Sequence, residues 1–431
     1  MTALLGLAFL FAGCDTASTP STPTASTLAT SSVAGVIPHG SAARTSALKP
    51  INQAALQTTI DTTAKELLVP GAVVLLRTPQ GEFVVTYGTI ELGTTSRPGA
   101  ETHFRIASNT KTMTAALIMQ LAQEGSLSLG DPVSKYVASV PNGDNITIAE
   151  LLEMRSGLYN YTNAPEISAS IDHNPTRIWT ADELLAIAFA RPPNFSPGTA
   201  YEYCNTNYAL LGLIVEHVDG KPLAQAMQRR LFEPLGMQQT TLPGSTVNTI
   251  PEPYSHGYLF GSSSVALVGT PQYTPAVKAA ARAGTLLPTD YTSVNHSVAA
   301  AAGGVISTAN DLATWIHALI AGRVFNAATQ ERWLASLRPV DASKPDGQQY
   351  GYGITQLRWG PNTMLFHGGE TPGYNSFMGY DRANQMTLVV WTNLTVSLDE
   401  APTANAFMLK VLDQIYVVSP LPPPTSATDS P

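Results

Sequence analysis

Phe104-Arg105-Ile106-Ala107-Ser108-Asn109-Thr110-Lys111 sets a serine at the mouth of an apolar helix with a lysine three positions on. Helical positions i and i+3 share a face, so the Lys111 amine can reach the Ser108 hydroxyl without help from distant parts of the chain. A serine hydroxyl is a weak nucleophile until a base takes its proton. A lysine kept neutral by burial and by neighbouring positive charge can serve as that base. The run from Thr112 to Leu121 reads as the buried helix that Ser108 opens, ending at Gly125. Ser46-Ala47-Leu48-Lys49 repeats the spacing, but there a Ser/Thr/Pro-rich run is stopped at once by Pro50. The plainer alternative makes Ser108 a helix N-cap and Lys111 a solvated first-turn residue.

Two further stretches carry chemistry. Tyr203-Cys204-Asn205 lies in a loop that enters a helix expected from Asn207 onward. In extended chain, residues two apart point the same way, so the phenol and the carboxamide could face one cleft. A phenol can relay a proton, and an amide can hold a substrate carbonyl or the lysine. Tyr161-Thr162-Asn163 has the same letters, and for either copy a satisfied tyrosine beside a turn-closing asparagine is the plainer reading. Farther on, Phe366-His367-Gly368-Gly369-Glu370 puts glycines after an apolar strand. Glycines inside a strand often mark close approach to the backbone, although a plain hairpin turn with an exposed histidine would also fit.

Around these stretches, residues 53–68 read as a helix, followed by a hairpin of 72–76 and 83–87 turning at Pro79-Gln80-Gly81. A second strand pair over 375–381 and 386–391 is closed by a helix over 402–416. Between the two pairs the apolar spacing is mostly helical, with starts at Thr147 and Thr180 and a further helix over 308–321. Strands at both ends and helices between them predict an α+β fold, one antiparallel sheet built from both termini with a helical region inserted over about 109–290. The stretch 244–302 gives no clear assignment.

The chain has 431 residues, a net charge of −8 and no basic cluster, which speaks against a nucleic-acid surface. Its eight histidines are scattered, and no H-E-x-x-H, G-x-S-x-G or phosphate-binding loop is present, so a metal site or a Ser-His-Asp enzyme is not expected. Residues 2–13 form an apolar run of signal-peptide length, and Phe11-Ala12-Gly13-Cys14 is similar to the box at which bacterial lipoproteins are cleaved and lipidated. An ordinary secretory peptide cut elsewhere is the alternative. If Cys14 is lipidated, acyl chains would anchor the protein to a membrane. Residues 15–49 and 419–431 are too poor in large apolar side chains to fold, which leaves a body over 50–418.

Taken in order, Ser108-x-x-Lys111, Tyr203-x-Asn205 and His367-x-Gly369 resemble the motifs of the penicillin-recognising serine hydrolases, nearest to the actinomycete-type D-alanyl-D-alanine carboxypeptidases. Met154 to Asn163 and Ala302 to Thr308 add to the resemblance. It implies the beta-lactamase-like fold, with acylation at Ser108 and proton handling by Lys111 and Tyr203. Asn205 would support the substrate amide, and His367-Gly368-Gly369 would form the substrate-lining strand. The oxyanion hole would come from the backbone N–H groups of Ser108 and Glu370, and no cofactor is needed. The implied substrate is a peptidoglycan stem peptide outside the plasma membrane, with β-lactams as acylating ligands. Esterases, β-lactamase-like enzymes and D-amino-acid amidases are alternatives within the family, and a non-catalytic cell-wall binder is the alternative outside it. Gly368 replaces a hydroxyl residue that would bind a substrate carboxylate, and Arg358 is the nearest candidate for the arginine that would hold it.

Overall fold

The computed structural model describes residues 48–268 and 273–417. Cys14, the leader, most of the expected tether and the 419–431 tail lie outside the described residues. Leu48 and Lys49, expected in the tether, are tied to the described body. Leu48 bridges Tyr416, and the Lys49 N–H donates to the Ile415 carbonyl at 2.7 Å, so both ends of the body are joined.

Strand β1 (Gly71–Thr78) carries the run Ala72-Val73-Val74-Leu75-Leu76, and its first six residues are buried. Such a run suits a central strand covered on both faces, since a half-solvated strand would alternate apolar and polar residues. Ala72, Val74 and Leu76 share a core with helix α1 (Gln53–Leu67), while Val73 and Leu75 belong to the core on the other face. The other strands are β2 (Gly81–Gly88), β3 (Arg338–Pro339), β4 (Gln349–Tyr350), β5 (Thr355–Trp359), β6 (Asn362–Thr371), β7 (Tyr374–Asp381) and β8 (Met386–Thr392). All eight form one antiparallel sheet in the order β2-β1-β8-β7-β6-β5-β4-β3. Ala72 pairs with Thr392 and Leu76 with Leu388, so strands from the two ends of the chain lie side by side within it.

The segment between β2 and β3 is mostly helical. It holds α2 (Thr110–Gln123), α3 (Asn205–Asp219) and α4 (Ala309–Ile320), and α5 (Thr403–Ile415) closes the chain. Thr147 and Thr180 cap their helices through reciprocal bonds with Glu150 and Glu183, as a threonine followed three residues later by glutamate predicts. The further helix expected over 308–321 is α4, and its Leu312, Trp315 and Ile316 bury their side chains in the core beneath the sheet. The unassigned stretch contains short helices, Ser264–Leu267 and Pro275–Arg282, and the two-residue strand pair Tyr258–Leu259 and Thr289–Asp290. Among the described residues no helix is long and apolar enough to cross a membrane.

The site is fixed where β6 meets the turn that leads into α2. A Cβ on Gly369 would lie 2.1 Å from the Ile106 carbonyl oxygen and 2.9 Å from Asn109 Nδ2. Only glycine permits this approach. Gly369→Ala should therefore lower stability by about 1–3 kcal/mol through overpacking and displace the turn. Gly99→Ala, whose Cβ would meet nothing within 4 Å, should stay within about 0.5 kcal/mol of the parent. Thermal melts of the two variants check this, and equal melting temperatures would contradict it.

Candidate active site

Ser108 does not cap α2. It sits in a 3-10 turn over Ala107–Asn109, and α2 follows from Thr110 without a side-chain cap. Ala107 has φ of 49°, a left-handed conformation that a non-glycine residue adopts at a cost. The turn is held by Asn109, whose Nδ2 donates to the Ile106 carbonyl at 3.1 Å and to Ser376 Oγ of β7 at 2.8 Å. Ser108 itself remains partly exposed at the floor of a cleft between β6 and the helical region.

Lys111 is fully buried. Its Nζ lies 3.0 Å from Ser108 Oγ, 2.7 Å from Asn205 Oδ1 and 2.8 Å from the Ala302 carbonyl. Desolvation holds its pKa well below the ordinary lysine value. The neighbouring positive charge expected to assist is absent among the described residues, so burial does this alone. A neutral amine has two protons and one lone pair. The two carbonyl oxygens can only accept, so they take the protons and leave the lone pair aimed at the serine hydroxyl. Tyr203 is hydrogen-bonded to Ser108, and burial keeps its pKa well above the usual phenol value. Lys111 also lies 4.7 Å from the Tyr203 ring centroid. The resting arrangement is thus a protonated phenol donating to Ser108, which in turn donates to a neutral amine.

Helix α3 begins at Asn205, two residues before the expected start, so Tyr203 and Asn205 do not share one extended loop. The Asn205 N–H donates to Asn160 Oδ1 at 3.0 Å, and its Nδ2 donates to Thr162 Oγ1, also at 3.0 Å. The Tyr161 N–H donates to Thr206 Oγ1, and Thr206 Oγ1 to the Tyr159 carbonyl. Tyr161-Thr162-Asn163 therefore supports the site rather than merely imitating it, and Thr162 lines the cleft. The sequence contained a signal for this in Met154 to Asn163, but spacing alone gave it no role. The Ala302 carbonyl has no sequence signature. It is placed by close packing, since a Cβ on Gly212 of α3 would lie 2.5 Å from the Ala301 methyl.

His367 is buried in β6, not exposed in a turn. Its Nδ1 lies 2.7 Å from the Gly368 carbonyl, which only accepts, so Nδ1 carries the proton and Nε2 accepts from the Tyr350 hydroxyl at 3.2 Å. Burial pushes its pKa down to about 3, so the ring is neutral. Gly368, Gly369 and Glu370 line the cleft beside Ser108. Arg358 is not brought there. On β5 it pairs across the sheet with Thr363, and its half-exposed guanidinium meets Asp346 at 3.3 Å. Among the described residues no cluster of three or more His, Cys, Asp or Glu could hold a metal ion.

A serine activated by a buried neutral lysine, with a phenol in contact and a glycine-bearing strand alongside, suits acyl transfer through an ester. The profile of the Beta-lactamase family matches residues 56–413. The chain belongs to that family. Among curated relatives, PbpX of Bacillus subtilis (strain 168), a penicillin-binding protein by name, is 28% identical over 68% of this chain and 62% of its own length. The chain thus spans less than two thirds of that relative. Among solved structures, the D-stereospecific amidohydrolase of a Streptomyces species is 29% identical with a TM-score of 0.70, covering 83% of this chain and 98% of that one. The D-amino acid amidase of Ochrobactrum anthropi SV3 is 25% identical with the same TM-score, covering 84% and 98%. The sheet with helices on both faces is the beta-lactamase-like fold, and the family consists of serine hydrolases.

Proposed function

We propose that this beta-lactamase-family chain is a serine amidohydrolase that cleaves amides of D-amino acids through an ester on Ser108. Lys111 Nζ takes the hydroxyl proton as Ser108 Oγ attacks the carbonyl carbon. The Tyr203 phenol donates its proton to the departing nitrogen and regains one from Lys111. Water then attacks the ester, restores the serine hydroxyl and releases the acid.

The observation that carries this reading is the charge of the cleft. Among the described residues its charged lining is Asp341, Lys344 and Glu370, and Lys344 is paired with Asp341 at 3.0 Å. Among the described residues no unpaired cation lines the cleft to hold a terminal carboxylate, and Arg358 is paired with Asp346. A carboxypeptidase acting on stem peptides would need such a group, so the reading moves to amides without one. The likeness to a D-stereospecific amidohydrolase and to a D-amino acid amidase supports the same direction.

The test is to incubate the protein separately with D-phenylalanine amide, its L enantiomer and a diacetyl-L-lysyl-D-alanyl-D-alanine tripeptide, following ammonia and D-alanine. Ammonia released mainly from the D-amide is expected. Release of D-alanine from the tripeptide at higher kcat/KM would return the assignment to a carboxypeptidase, and no turnover of any of the three would overturn the amidohydrolase reading.

A further inference from the structure

One carboxyl at the reaction centre has no part in the proton transfers. Glu370 follows Gly369 on β6 and lines the main cleft beside Ser108. It also lines an adjoining apolar recess formed by Ile167, Ile171, Val298 and Pro372, so it stands where the two spaces join. Its Oε2 accepts a hydrogen bond from Asn375 Nδ2 at 3.2 Å, and among the described residues no cation is paired with it. Glu370 is half-buried, and a carboxylate partly withdrawn from water without a counter-charge at a substrate site is suited to a charge brought in by the ligand.

Resting on the amidohydrolase reading, we infer that Glu370 is a specificity-determining residue that selects substrates with a protonated amine next to the scissile carbonyl, as in a free amino-acid amide, over N-acylated ones. The ammonium supplies the missing partner through a charge-assisted hydrogen bond, and the apolar recess receives the side chain on the same carbon. The carboxyl also repels a substrate carboxylate, in keeping with the absence of a free cation in the cleft. Burial raises the Glu370 pKa to about 8, close to that of an α-amine at about 7.7–8.0. Enzyme and substrate together need to retain one proton between them, so affinity should peak where each is half ionised. The other ionisable groups near this point are Lys111, whose pKa burial lowers, Tyr203 and Tyr273, whose phenols burial holds protonated, His367, kept neutral with a pKa of about 3, and the mutually paired Asp341 and Lys344 at the mouth.

The experiment compares D-phenylalanine amide with N-acetyl-D-phenylalanine amide, on the parent enzyme and on Glu370→Gln, over pH 6 to 10. The parent should favour the free amine, and its KM for that substrate should pass through a minimum near pH 8. In the Gln variant the ratio of kcat/KM values, free over acetylated, should fall by about 10- to 100-fold, the usual worth of a hydrogen bond to a charged group, mostly through KM. The minimum should also vanish, which a purely structural effect would not produce. A parent enzyme that hydrolyses the acetylated amide equally well, or a Gln variant with an unmoved ratio, overturns the inference and leaves the amidohydrolase reading standing. Hydrolysis of neither amide removes that reading and the inference with it.

Discussion

Ser108→Ala should abolish turnover, with kcat falling by about 10⁴- to 10⁶-fold, as when a covalent nucleophile is deleted from a set of groups that act together. The loss is this large because Lys111 and Tyr203 have no other task at the site. Without the hydroxyl, the lone pair of one and the proton of the other face an empty position. The missing atom is half of a partly exposed polar group, so the fold should be retained. Intact mass after incubation with an uncharged sulfonyl fluoride that modifies activated serines gives a direct check, with an adduct on the parent and none on the variant. An adduct of equal yield on Ser108→Ala would place the nucleophile elsewhere.

Lys111→Met should be the next most damaging change. Methionine fills most of the lysine volume but supplies no base, and loss of general-base catalysis costs about 10²- to 10⁴-fold in rate. It also leaves Asn205 Oδ1 and the Ala302 carbonyl without their donor. A buried acceptor left unpaired costs about 1–3 kcal/mol, so the melting temperature should fall as well. The pH dependence separates the two effects. Only the unprotonated amine is a base, and burial lowers the Lys111 pKa, so kcat in the parent should persist to lower pH than an ordinary lysine base would allow. It should decline tenfold per pH unit once acid protonates Lys111. Tyr203, held above the ordinary phenol value of 10.0, retains its proton across this range and adds no alkaline decline of its own. The residual activity of Lys111→Met should lack the acid limb, and an unchanged profile would remove Lys111 from the role of base.

The fold was legible where apolar runs were long enough to declare their period. Ala72 to Leu76 and Met386 to Trp391 marked strands, Thr112 to Leu121 marked a buried helix, and the two threonine-glutamate capping pairs marked helix starts. The region over 244–302 resisted because its structure depends on tertiary contacts, such as the two-residue pairing of Tyr258–Leu259 with Thr289–Asp290. At the site, Ser108, Lys111, Tyr203 and Asn205 could be named because side chains carry their chemistry. The Ala302 carbonyl could not, because every residue has one and only its placement makes it special. Thr162 was passed over for a related reason, since a hydrogen bond to Asn205 across 43 positions of sequence leaves no mark on local spacing. Arg358 erred in the opposite direction. It lies close enough along the chain, but register on β5 turns it toward Asp346 and away from the cleft.

The pairing of β1 with β8 also bears on how the protein is made. Strand β1 emerges from the ribosome roughly 300 residues before the strand that covers its inner edge, and at about 5–20 residues per second the interval is tens of seconds. Through that time Ala72-Val73-Val74-Leu75-Leu76 has β2 on one edge and helices on its faces, and its other edge is open to any extended apolar strand nearby. The nascent chain is therefore most exposed to misassembly before its last hundred residues arrive, and holdase chaperones should matter most over that interval.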